Sequence, residues 1–255
     1  MSVDTGELQH IFNHYFSPEN ASIHFYGDEG KCRIKEILPF FGLLVPFNHP
    51  DGYASNDDEF IIFEHFEFDS SKGTKRKGSK QRRSEADDSR AFDAVIPTKE
   101  GSEYHGALDV SYSIDYYREN FLRSFDDHYS EIPKYKETLK SKGLLTDSHR
   151  ITTVFFIEDT SIFGNFYATD SWDESVTPLI LLHCDFFLDL FKNSPDLDCV
   201  IFGRFYDRWL WYIDQSLISE YRKRIVNTHE IEVIDYTPRS SGYKVLLTPS
   251  EIEGQ

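Results

Sequence analysis

Apolar and polar positions follow two rhythms along this chain, and each change of rhythm marks an element. Leu8, Ile11, Phe12, Tyr15 and Phe16 recur at helical spacing and stop at Ser17-Pro18, which predicts a short opening helix. Extended segments are expected over Ser22 to Tyr26, Cys32 to Ile37 and Phe40 to Phe47, with Gly27-Asp28-Glu29-Gly30 and Pro39 as turns, so this region should be a meander. The next run, Glu59 to Asp69, is apolar at Phe60, Ile61, Ile62 and Phe63 and then becomes acidic without a turn residue. Strand alternation places Phe60, Ile62, Glu64, Phe66 and Phe68 on one face and Ile61, Phe63, His65, Glu67 and Asp69 on the other.

From Ser70 to about residue 90 the chain is polar, basic and nearly without apolar residues, and a mobile loop is expected there. Residues 111–145 read as a helical insertion: Ile114, Tyr117, Phe121 and Phe125, then Tyr129, Ile132, Tyr135 and Leu139, suit two amphipathic helices ended by Gly143. A second apolar strand, Ile151 to Ile157, again runs into acid at Glu158-Asp159-Thr160. Thr177-Pro178 is the start signal of a helix with Leu179, Leu182, Phe186 and Leu190 on one face, reaching Asn193-Ser194-Pro195. Strands are expected at Cys199 to Phe205 and Trp209 to Ile213, a helix at Leu217 to Val226, and a closing hairpin of Glu230 to Tyr236 with Tyr243 to Leu247. The fold class this predicts is α+β, or α/β, with a mixed central sheet flanked by helices in one domain spanning 1–255.

Composition sharpens this in three respects. The hydrophobic content of 39% is enough for a core, and 22 Phe and 15 Tyr against one Met make that core stiff and aromatic. The formal charge of -17 would repel nucleic acid, yet Lys72, Lys75, Arg76, Lys77, Lys80, Arg82 and Arg83 lie within one short stretch, so the mean conceals a cationic segment. Cys32, Cys184 and Cys199 have no CxxC spacing, which argues against a zinc or disulfide framework and fits a reducing cytoplasm. Neither a leader sequence nor a membrane span is expected, since no apolar run approaches the roughly 18 residues a span needs.

Carboxylates closing an apolar strand require a cation, a proton or a partner, because an unpaired buried charge is costly. Two such strands follow one another here, and carboxylates from neighbouring strands can hold a hard cation with positions left for water and a phosphate oxygen. In this order of elements, with Asp69 at one strand end and Glu158-Asp159-Thr160 at the next, the chain resembles the PD-(D/E)XK nuclease superfamily. The resemblance covers about Ala21 to Asp69 and Ile151 to Phe205 and implies a restriction-endonuclease-like core, Mg²⁺ as cofactor and phosphodiester cleavage. It casts Asp69 and Glu158 as metal-binding catalytic acids. The family's lysine falls on Thr160, so Lys72 or Lys192 would have to replace it, and Lys72 is taken as the catalytic cation. Glu67 and His65, on the face of Asp69, would complete the metal shell.

On this reading Lys75, Arg76, Lys77, Lys80, Arg82 and Arg83 contact nucleic-acid phosphates. A structural alternative pairs Glu64, Glu67 and Asp69 with Arg or Lys elsewhere in the sheet, and makes His65 a hydrogen-bonded structural residue. Two other functions stand beside the nuclease: an acidic interaction or inhibitor protein that offers carboxylate rows to a nucleic-acid-binding partner as a nucleic-acid mimic, and a nuclease fold that has lost activity. Trp209, Trp211 and Tyr212 near Arg204 and Arg208 are read as base-stacking residues or, more cheaply, as core. Phosphate-cradling glycine loops and a serine-nucleophile elbow are absent from the sequence.

Overall fold

The structure is a computed structural model that describes Ile11, Tyr15 and residues 23–24, 27–72, 103–108, 113–161, 166–169, 176–204, 209–223, 232–233 and 241–246. By its internal contacts the chain divides into two units. One comprises Met1–Phe68, Leu122–Thr160 and Phe166–Glu232, the other Asp69–Phe121, Ser161–Asn165 and Val233–Gln255.

The first unit is built on a seven-stranded mixed sheet. Its strands are β1 (Ile23–His24), β2 (Val45–Pro46), β3 (Gly52–Ser55), β4 (Glu59–Phe68), β6 (Arg150–Asp159), β9 (Cys199–Arg204) and β10 (Trp209–Asp214), in the order β1-β10-β9-β6-β4-β3-β2. The central three, β4, β6 and β9, are parallel neighbours. Parallel strands need long crossovers, and helices α2 (Ile114–Tyr129) and α3 (Ile132–Ser141) lie between β4 and β6 in the chain, while α4 (Asp185–Lys192) lies between β6 and β9. Burial on both faces explains why these strands read as apolar runs rather than clean alternations: Phe60 through Phe63, Val154 through Ile157 and Val200 through Phe202 are all buried. The antiparallel strands flank this centre, with β3 against β4, β2 against β3 and β10 against β9.

Polar contacts at the strand starts fix the register. Arg150 donates to Glu59 across 2.9 Å, Thr152 Oγ1 donates to the same oxygen at 2.9 Å, and Asp198 accepts the Thr153 amide at 2.7 Å. With Glu59 opposite Arg150, the ladder places Glu67 opposite Glu158 and Phe68 opposite Asp159. A slip of one residue would turn all these side chains to the other face.

Several expectations are corrected. The meander begins only at Val45, because Gly27–Phe41 forms one helix, α1, with Ile34, Ile37, Phe40 and Phe41 buried at helical spacing. Gly30 and Pro39 do not break it: Gly30 lies in the first turn, and Pro39 lies in the last turn, where its ring removes the N–H that would reach the Lys35 carbonyl without ending the helix. Pro178 ends a short strand, β8 (Val176–Pro178), antiparallel to β7 (Phe166–Thr169), and the helix starts only at Asp185, after a single 3₁₀ turn. Near Leu217 a 3₁₀ turn leads into a short helix, α5 (Ile218–Arg222). The closing hairpin does not form, because β12 (Ser241–Leu246) pairs with β5 (Glu103–Leu108), whereas β11 (Glu232–Val233) belongs to the small sheet of β7 and β8. Helices do occupy 114–129 and 132–141, as the periodicity predicts. Of the opening helix, Ile11 and Tyr15 are described, both helical and fully buried. Among the described residues no helix is long and apolar enough to cross a membrane.

Candidate metal centre

Glu67 and Glu158 are partners in the ladder of β4 and β6, so their side chains project from the same sheet face about one strand spacing apart, ~4.8 Å. His65 precedes Glu67 by two residues and therefore shares that face. One ligand atom from each of His65, Glu67 and Glu158 lies within 4.8 Å of the other two. The cluster sits near the C-terminal ends of two parallel strands, where open α/β sheets commonly place their ligands. His65 and Glu158 side chains are 1% exposed, whereas Glu67 is half-buried and forms the more open side.

The two carboxylate oxygens of Glu158 have different neighbours. Its Oε2 is 3.1 Å from His65 Nε2, and its Oε1 accepts a hydrogen bond of 2.7 Å from the Tyr15 hydroxyl. The Tyr15 ring packs edge-on against Phe156, with centroids 5.3 Å apart. It also covers Gly203 of β9, the register partner of Glu158: a Cβ there would come within 3.0 Å of Tyr15 Cζ and 3.2 Å of Phe156 Cζ. Burial, reinforced by the negative charge of Glu158, pushes the Tyr15 phenol far above its usual range, so it remains a proton donor. The His65 amide is held by the Asp51 carboxylate at 2.8 Å.

Glu64 points to the opposite face and is held by a separate set of groups. Its Oε1 accepts from the Tyr135 hydroxyl at 2.7 Å and contacts His128 Nδ1 at 2.6 Å, while its Oε2 accepts from the Asp51 amide at 3.2 Å. The His128 ring stacks on Phe66, with centroids 4.8 Å apart. Here too, burial and the nearby Glu64 charge raise the Tyr135 phenol.

Asp69 is the first residue beyond β4, so strand alternation no longer dictates its direction. It is buried, and its Oδ1 accepts from the amide of Ser71 at 2.8 Å and from the Ser71 hydroxyl. Asn120 ties this turn by donating to the carbonyls of Asp69 and Ser71. Asp69 is not a member of the His65, Glu67, Glu158 group. Asp159 is buried with Arg204 as its register partner, and Thr160 continues the ladder by donating its amide and hydroxyl to the Phe68 carbonyl. Lys72 and Lys192 are exposed. Lys75, Arg76, Lys77, Lys80, Arg82, Arg83 and Arg208 lie outside the described residues. Tyr212 is core, bonded to Asp214, and Trp211 is half-buried against His24 and His183.

Sequence reasoning did not find the side chains that hold these carboxylates, because Tyr15 is 143 positions from Glu158 and Tyr135 is 71 from Glu64. One signal was present: a glycine inside the apolar strand Cys199–Arg204 marks a place where another group approaches closely, and that group is Tyr15. Compared with protein-family models, with curated protein sequences and with solved structures, the chain matches none.

Proposed function

We propose that the chain is a divalent-cation-dependent hydrolase of phosphodiester bonds, with the cation held by His65, Glu67 and Glu158. The observation that carries this reading is the convergence of the three ligand atoms within 4.8 Å on one face of β4 and β6. One imidazole and two carboxylates form a mixed nitrogen and oxygen set, which suits Mn²⁺ or Zn²⁺ at least as well as Mg²⁺, the ion the resemblance implies. Bound there, the cation would polarise a phosphoryl oxygen and acidify a water. The residues themselves would fix its position, with His65 held through its amide by Asp51 and Glu67 leaving one side accessible.

The succession α1, β3, β4, β6, α4 and β9 supports the likeness to the PD-(D/E)XK superfamily, with the α2–α3 pair standing between the two acid-bearing strands. In this reading Glu67 takes the place first assigned to Asp69. Thr160 still lacks the family's amine, Lys72 remains the cation nearest in sequence, and the basic stretch Lys75 to Arg83 would contact nucleic-acid phosphates. An acidic mimic would need its carboxylates outside, but Glu64, Asp69, Glu158 and Asp159 are buried.

The test is cleavage of single- and double-stranded DNA and RNA with Mn²⁺, Mg²⁺ or Zn²⁺. We expect cleavage that falls at least ~100-fold in Glu67→Ala and Glu158→Gln, since each removes a ligand rather than an outer support. Asp69→Asn, which keeps an oxygen for Ser71, should retain it. Loss in Asp69→Asn with retention in Glu67→Ala would return the first acid to Asp69, and unchanged cleavage in all three would exclude the site.

A further inference from the structure

We infer that Tyr15 is a positioning residue for the metal centre: by holding Glu158 Oε1 it leaves Oε2 as the single oxygen offered to the cation, on the side of His65. This rests on the metal reading of His65, Glu67 and Glu158. The hydroxyl donates to Oε1 at 2.7 Å, and Oε2 stands 3.1 Å from His65 Nε2, so the tyrosine sets which oxygen faces the imidazole. The register of β6 places the backbone of Glu158 but does not choose which of its oxygens faces His65.

Two features keep the tyrosine in place. Its ring is fully buried against Phe156, and beneath it lies Gly203, where a methyl group would crowd the ring at 3.0 Å and press it aside by a few tenths of an ångström. The absence of a side chain at residue 203 is therefore part of the same device. Tyr15 thus sets the donor geometry of an acid on β6, through a contact that depends on a glycine in β9.

The other sheet face provides an internal control. Tyr135 donates to Glu64 at the same 2.7 Å, and both acids are buried, but Glu64 lies outside the three-ligand group. Removing either hydroxyl leaves a buried carboxylate short of one donor, so both variants should lose stability. Only the loss of Tyr15 should affect the ion.

The experiment measures Mn²⁺ affinity of the full chain by calorimetry, and the Mn²⁺ electron paramagnetic resonance spectrum, for wild type, Tyr15→Phe, Tyr135→Phe and Gly203→Ala, well below each melting temperature. Expected is a ~10- to 100-fold weaker Kd and an altered spectrum in Tyr15→Phe, the size typical of lost outer support to a ligand. Gly203→Ala, which displaces the ring, should shift in the same direction, and Tyr135→Phe should keep the wild-type Kd. If Tyr15→Phe does not fold, Gly203→Ala carries the comparison. Binding to wild type with equal Kd in all variants, or equal weakening in Tyr15→Phe and Tyr135→Phe, would overturn the positioning role and leave the metal centre standing. No binding to wild type would overturn both.

Discussion

At the scale of single residues, three of the buried carboxylates among the described residues accept hydrogen bonds from phenols. Tyr15 serves Glu158, Tyr135 serves Glu64 and Tyr212 serves Asp214. Burial first raises all three phenols above their ordinary value, and the neighbours add to it: Glu158 for Tyr15, Glu64 for Tyr135, and Cys199 and Asp214 for Tyr212. A raised folded-state value means that the native protein keeps a proton the unfolded chain surrenders near pH ~10. Their contribution to stability is therefore complete below that pH and declines as pH rises above it. Chemical-denaturation midpoints measured across this range should fall from about pH 10 upward, more shallowly in Tyr135→Phe than in wild type. A midpoint that stays flat into strong alkali, or an identical slope in Tyr135→Phe, would contradict this account. These partners were not legible in the sequence, because a tyrosine at helical spacing reads as core whether or not its hydroxyl has an acid to serve. The acids were legible, since Glu64, His65 and Glu67 interrupt an otherwise apolar strand.

At the scale of elements, what could be read depended on whether the local pattern and the tertiary partner agreed. β4 and β6 announced themselves because burial on both faces leaves almost no polar position until the acids at their ends. α1 was misread because Gly30 and Pro39 are breakers by propensity, whereas packing of Ile34, Ile37, Phe40 and Phe41 overrides them. The pairing of β12 with β5 joins segments more than a hundred residues apart and has no local signature. The helical override has a measurable consequence. Pro39 is exposed, and Pro39→Ala would return an N–H to the carbonyl of Lys35, offset in part by a freer unfolded chain. We expect a gain of roughly 2 kcal/mol in unfolding free energy, since proline costs ~3 kcal/mol in a helix interior and its restraint of the unfolded chain offsets up to about 1 kcal/mol of that. A loss of stability would show that the ring is needed to end α1.

At the scale of the whole molecule, the formal charge of -17 draws cations to the surface whatever the metal centre does. That diffuse attraction is screened within about 8 Å at physiological salt, while an ion held by buried ligands is screened much less. The central claim is that the ladder of β4 and β6 brings His65, Glu67 and Glu158 together to hold one ion. The most direct measurement is therefore a calorimetric titration of Mn²⁺ into wild type and Glu67→Ala at about twice physiological ionic strength, where exposed acids bind little. The account predicts one saturable ion per chain in wild type and none in Glu67→Ala. Saturable binding that is unchanged in Glu67→Ala, or no saturable binding in wild type, would contradict it.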